Sequence, residues 1–277
     1  MQRISLNKTE ILHQITLPKI TCSTQKTNRL TRYFRISRII FHTLVGIFIT
    51  AVILPLVKRP TQLRLISWWC RRLLAAFNIT VIRKGELPPS NALSNTMFVG
   101  NHVSWADIHA LNSVVPVKFI AKSEIQNWPI FGYLAKVNAL FIDRNKRHDA
   151  ARVVDITAQS LEAGDNLCLF PEGTTTMGTE MKSFKSSLIQ AAIQAKATIW
   201  PFAIRYPNLD GTINTEMAYA GDITLPESMK AVLRQKNPVV ELIFLQPIVL
   251  RDKTEQDRRA LTLEIEQQIR HELNLQL

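Results

Sequence analysis

From Asn78 onward, short apolar runs alternate with stretches of helical spacing. A chain patterned this way can bury its apolar side chains only as a sheet covered by helices. Ile79–Ile82, Met97–Gly100, Lys118–Ala121, Leu140–Ile142, Asn166–Phe170, Ile199–Arg205 and Val239–Leu250 read as strands. Glu124–Val137, despite Pro129, reads as a helix, as do Ala150–Leu161, Ser186–Ala195 and Thr254–Leu273. The expected fold is α/β, a mixed sheet covered by helices over residues 78–277. In such sheets functional side chains gather just past the carboxyl ends of strands. His102, Arg144 and Glu172 each follow a strand run closely, so the pattern places them together.

Residues 1–77 read as a separate unit, a polar tail followed by membrane-associated helices. Ile39–Val57 holds no Asp, Glu, Lys or Arg, and about 19 apolar residues suffice to cross a hydrocarbon core as a helix. Arg29, Arg32, Arg35 and Arg38 precede it, and Lys58, Arg59, Arg64, Arg71 and Arg72 follow it. Basic flanks on both sides give no orientation, and they suit a helix that dips into one leaflet as well as one that crosses. Trp68 and Trp69 beside Arg71 and Arg72 have the composition of an interfacial amphipathic helix.

The formal net charge of +12 suits either nucleic acid or an anionic membrane surface. No nucleic-acid-binding pattern is visible, and the basic residues crowd around the apolar segment, so membrane lipid is the expected partner. Cys22, Cys70 and Cys168 are widely spaced, which argues against a disulfide framework or a zinc site and fits a reducing compartment. The first thirty or so residues lack the apolar core of a secretory signal.

The chemistry-bearing residues are few. His102 and Asp107 lie five positions apart across a strand-to-helix turn, where a carboxylate can reach the imidazole and fix its tautomer. Taken alone, this spacing also occurs in ordinary surface turns. In Phe170-Pro171-Glu172-Gly173-Thr174, Glu172 suits a hydrogen bond to a substrate hydroxyl, and Gly173 allows close backbone approach. Thr174 to Thr176 equally suit capping of the next turn. Arg144, with Lys146 and Arg147 nearby, can hold a phosphate or carboxylate, and Lys185 is a further anion contact; a solvated basic loop is the plain alternative for both. His13, His42, His109, His148 and His271 have no partner pattern, and there is no HExxH, P-loop, GxGxxG or GxSxG.

Four ordered segments, Asn101-His102 to Asp107, Phe141-Ile142-Asp143-Arg144, Phe170 to Thr174 and Trp200-Pro201-Phe202-Ala203, resemble the four blocks of the glycerolipid acyltransferases, in the branch of 1-acyl-sn-glycerol-3-phosphate acyltransferase. The resemblance spans roughly residues 78 to 250, and the first and third blocks carry most of its specificity. It implies transfer of a fatty acyl group from acyl-CoA or acyl-carrier protein to a lysolipid hydroxyl, without a cofactor or metal. 1-acyl-sn-glycerol-3-phosphate is the first acceptor it suggests. It further implies His102 as general base and Asp107 as its orienting partner, with Arg144 at the acceptor phosphate and Glu172, Gly173 and Thr174 at the acceptor. The catalytic domain is then expected on the cytoplasmic face of a membrane, the inner membrane in a bacterium. Thr175 stands where phosphatidate-forming members commonly carry Arg, and members with Thr there include enzymes acting on lyso-ornithine lipid. Backbone N–H groups of the His102 turn or of Gly173 are the expected oxyanion donors. Ser104 is the one hydroxyl in the first block that a covalent mechanism could use. A non-catalytic lipid-binding protein is the rival from another class. Acyl-chain length and oligomeric state cannot be read from the sequence.

Overall fold

Met97, Phe98 and Val99 are wholly buried, and their side chains part to opposite faces of one strand. Phe98 joins a core with Leu73, Phe77, Leu111 and Phe244. Met97 and Val99 join a second core with Leu161, Ile189 and Ile265. The strand is therefore covered on both sides, which explains its unbroken apolar sequence. The computed structural model describes residues 26–89, 92–127, 131–135, 138–142, 150–250 and 257–275.

Two helices, α1 (Arg29–Phe48) and α2 (Arg59–Phe77), open the described chain, joined by a π-helical turn and a short 3₁₀ turn through Leu56. Next come β1 (Thr80–Lys84), β2 (Thr96–Gly100), α3 (Ala106–Val114), β3 (Lys118–Lys122), α4 (Phe131–Ala135), β4 (Ala139–Ile142), α5 (Ala150–Glu162) and β5 (Asn166–Leu169). The fold is completed by α6 (Ile189–Gln194), β6 (Thr198–Arg205), α7 (Leu225–Arg234), β7 (Val239–Phe244), β8 (Ile248–Val249) and α8 (Arg258–Leu273). The sheet runs β1-β7-β6-β2-β5-β3-β4, with β8 beside β6. It is mixed, as expected: β6 pairs antiparallel with β7 and β8, and the other pairings are parallel.

Three elements differ from the sequence reading. The Val239–Leu250 run is two strands, β7 ending at Phe244 and β8 starting at Ile248, with Pro247, which cannot donate to a ladder, between them. Glu124–Val137 is not one α-helix: its described parts are a 3₁₀ segment, Ser123–Asn127, and the short α4, and the rest of that run, Pro129 included, lies outside the described residues. Helix α7 was not anticipated, although Thr224 and Glu227 form a capping box at its start and Pro226 sits in its first turn.

Helix α1 shows two chemically different faces. Outward it presents Leu30, Phe34, Phe41, Leu44 and Phe48, all exposed and spaced three to seven residues apart. Inward, Arg35 is buried and donates to the carbonyls of Gln235 at 2.7 Å and Lys236 at 2.6 Å, while Arg38 donates to that of Ala75 at 3.2 Å. These carbonyls lie at the carboxyl ends of α7 and α2, where a cation is favoured. The two arginines that the sequence assigned to the flank of a membrane segment thus anchor α1 to the body. By length and composition, Arg29–Leu56 is apolar enough to cross a membrane.

Candidate active site

Strands β2, β5 and β6 are parallel and in register, with Val99 opposite Leu169 and Gly100 opposite Phe202. Their carboxyl ends therefore share one edge, and His102, Glu172 and Tyr206 emerge there. A Cβ at Gly100 would stand 2.6 Å from the Phe202 ring, so glycine makes room for that ring against the end of β2. The Asn101 side chain then clamps the turn to β6, accepting from Ile204 N–H at 2.7 Å and donating to Ile204 O at 3.0 Å.

In the turn that follows, Asp107 is fully buried and accepts several hydrogen bonds. Its Oδ2 receives His102 Nδ1 at 2.8 Å, Val103 N–H at 2.7 Å and Ser104 N–H at 2.9 Å. Its Oδ1 receives the hydroxyl of Tyr206. A carboxylate so surrounded is kept as the acceptor, which puts the proton on Nδ1 and leaves Nε2 for a substrate. The His102 ring lies flat on Phe170, with centroids 4.1 Å apart and planes 4° apart. Its position is thus set by one hydrogen bond and one stacking contact.

Glu172 is 3 % exposed, and both its oxygens are occupied by backbone: His102 N–H at 2.8 Å and Lys182 N–H at 2.8 Å. It ties the two loops together. Burial pushes its carboxyl up to about 7, with the two backbone donors pulling the other way. The unfolded carboxyl loses its proton near 4.5, so between about 4.5 and 7 the folded state holds the proton that the unfolded state has lost. This group's contribution to stability therefore falls as pH rises through that window. In detergent, the pH 5 to pH 8 change in melting temperature should be flatter in Glu172→Gln than in the wild type; an unchanged slope would contradict the assignment.

Gly173 takes a positive φ of 74°, and its N–H is held by Phe170 O at 3.1 Å. The N–H groups of His102, Val103 and Ser104 are likewise committed to Glu172 and Asp107. The backbone donors expected to serve as an oxyanion hole are therefore already engaged inside the protein. Thr174 is exposed at the rim, and Thr175 donates its hydroxyl to Tyr219 O. Lys185 is exposed and joins the third block through its backbone N–H, 3.1 Å from Pro171 O. Ser104 has no exposed surface. Arg144, Lys146 and Arg147 lie outside the described residues. Among the described residues no three His, Cys, Asp or Glu side chains gather as metal ligands.

His102, Gly173 and Thr174 line an apolar cavity of about 640 Å³ that runs between α1, α2, α3 and the ends of β3 and β4. Ile39, Ile66, Trp69, Ile108 and Leu134 contribute to its wall, and no Lys or Arg among the described residues lines it. His109 also lines it, 3.7 Å from Cys70 Sγ and edge-on to Trp69. Desolvation lowers the His109 pKa to about 4, so this imidazole is neutral at physiological pH.

A family profile described as acyltransferase matches residues 78–205. Lyso-ornithine lipid O-acyltransferase of Pseudomonas aeruginosa is 36% identical over 73% of this chain and 77% of its own length. The chain belongs to the acyltransferase family. 1-acyl-sn-glycerol-3-phosphate acyltransferase of Neisseria meningitidis is 34% identical over 72% of this chain and 77% of its own length. The crystal structure of the 1-acyl-sn-glycerophosphate acyltransferase PlsC from Thermotoga maritima shares the fold, with a TM-score of 0.63 and 19% identity over 88% of this chain and 92% of that one. The acyltransferase profile begins at Asn78 and ends at Arg205, just before Tyr206. Tyr206 escaped the sequence reading because its only signal is its place after the fourth block.

Proposed function

We propose that this acyltransferase moves a fatty acyl group from a thioester donor, acyl-CoA or acyl-carrier protein, onto the free hydroxyl of a lysolipid. The observation that carries the reading is the placement of an oriented imidazole in the wall of an apolar cavity. Its volume lies within the roughly 300–1,000 Å³ usual for ligand sites, and its lining suits a hydrocarbon chain. Nε2 of His102 takes the hydroxyl proton as the oxygen attacks the thioester carbonyl. The tetrahedral intermediate collapses, the C–S bond breaks, and the leaving thiolate takes the proton from the imidazolium. Asp107 stabilises the imidazolium meanwhile. The burial of Ser104 supports direct transfer over an acyl-serine intermediate. In this reading Glu172 holds the His102 loop in place, and Gly173 and Thr174 border the acceptor.

The first acceptor to consider is 1-acyl-sn-glycerol-3-phosphate, which would give phosphatidic acid. A specific observation favours a second, lyso-ornithine lipid: Thr175 is tied to Tyr219 O and supplies no cation, and no Lys or Arg among the described residues lines the cavity. Supplying palmitoyl-CoA, and in parallel palmitoyl-acyl-carrier protein, with each lysolipid in turn, and weighing the lipid product, tests the choice. Phosphatidic acid alone supports the first, ornithine lipid alone the second, and no product with either donor class overturns the proposal.

The exposed apolar stripe on α1 supports seating in one leaflet, with the body on the cytoplasmic side where the donor thioester is found. Phe41 and Phe48, 67% and 56% exposed, would then be immersed in lipid. Replacing both with Ser should lower partition onto anionic vesicles by roughly 100-fold, from the lost apolar area. Wild-type binding in a vesicle sedimentation assay would contradict this seating.

A further inference from the structure

Asp107 Oδ2 is shared by three donors, whereas Oδ1 is served by a single side chain, the hydroxyl of Tyr206. Tyr206 is itself 1 % exposed. It sits one residue past β6, and its own backbone carbonyl is fixed by Asn214 N–H at 2.7 Å. The Asn101–Ile204 clamp holds the same strand end against the catalytic turn two residues earlier. The phenol is thus held on a rigid element and aimed at the far oxygen of the carboxylate that orients His102. Burial and the neighbouring Asp107 push its pKa well above the ordinary tyrosine value, so the phenol remains a donor throughout the working pH range.

We infer that Tyr206 is a positioning residue for acyl transfer: its hydroxyl fixes the rotation of the Asp107 carboxylate and draws charge onto Oδ1, away from His102. The inference rests on the reading of His102 as base. A carboxylate can turn about its Cβ–Cγ bond, and the Tyr206 bond holds Oδ2 toward the imidazole. Withdrawing part of the negative charge from Oδ2 keeps the resting ring neutral, as a general base requires, while the aligned Oδ2 still supports the imidazolium that forms during transfer. The other titratable groups around this carboxylate are His102, Cys168 and, through the His102 backbone, Glu172. None of them reaches Oδ1 among the described contacts. Tyr206 is not expected to touch either substrate.

The test is Tyr206→Phe, which keeps the ring and removes the donor. With palmitoyl-CoA and whichever lysolipid the wild type accepts, kcat should fall roughly tenfold, because a carboxylate free to turn holds the imidazole less well aligned in the transition state. KM for both substrates should stay within about twofold, since no contact with either substrate is lost. The acid limb of the kcat/KM profile should move to higher pH by roughly half a unit, because Oδ2 then carries more charge. Installing 3-fluorotyrosine at position 206 strengthens the donor and should move the same limb to lower pH. Opposite shifts from the two variants support the inference, and a purely structural role would not produce them. An unmoved limb in both, or a loss confined to melting temperature or KM, overturns it. If His102→Ala remains active, the reading of the base fails instead, which separates the two outcomes.

Discussion

His102→Ala should lower kcat by on the order of 10³-fold while leaving the protein folded and bound to vesicles. The imidazole contributes one hydrogen bond, to Asp107, and one face, to Phe170. The loop itself is held through His102 N–H to Glu172 and Thr176 N–H to His102 O at 2.9 Å, both of which are backbone contacts that alanine retains. The melting temperature should therefore change little compared with the rate. A variant with near-wild-type turnover would remove His102 from the mechanism. One that is inactive only because it has unfolded would show a lost thermal transition.

Asp107→Asn should be at least as damaging to the rate, by roughly 10³- to 10⁴-fold, and should also destabilise the fold. Three N–H groups and a phenol hydroxyl all donate to this carboxylate, and none of its surroundings is solvent. An amide supplies one acceptor oxygen and turns an NH₂ toward groups that are themselves donors. Leaving buried donors unpaired costs about 1–3 kcal/mol each, so a loss of a few kcal/mol in denaturant unfolding should accompany the loss of rate. Turnover and stability matching the wild type would mean that the carboxylate neither orients the imidazole nor anchors the turn.

How much of this was legible depended on how local each feature is. His102 and Asp107 meet within one turn, so spacing alone brought them together. The bond from His102 N–H to Glu172 joins residues 70 positions apart. Strand ends could be guessed to share an edge, but the use of both Glu172 oxygens on backbone depends on the register of β2 and β5, which periodicity does not carry. For the same reason the sequence suggested a substrate contact for Glu172 and free oxyanion donors in the turn, whereas the structure engages those groups internally. Arg35 was misread because a basic residue beside an apolar run looks alike whether it faces lipid headgroups or helix carboxyl ends. Pro247 and the Thr224–Glu227 capping box were visible signals for the split strand and for α7, overridden by the apolar run in the first case and left unread in the second.

The central claim is acyl transfer to a lysolipid hydroxyl with His102 as base. The most direct measurement follows free-thiol release from palmitoyl-CoA by the purified protein in detergent, with and without lysolipid, in the wild type and His102→Ala. Release that requires lysolipid and disappears with the imidazole is the predicted result. A burst of thiol without any acceptor, or equal release from both proteins, would contradict direct transfer through His102.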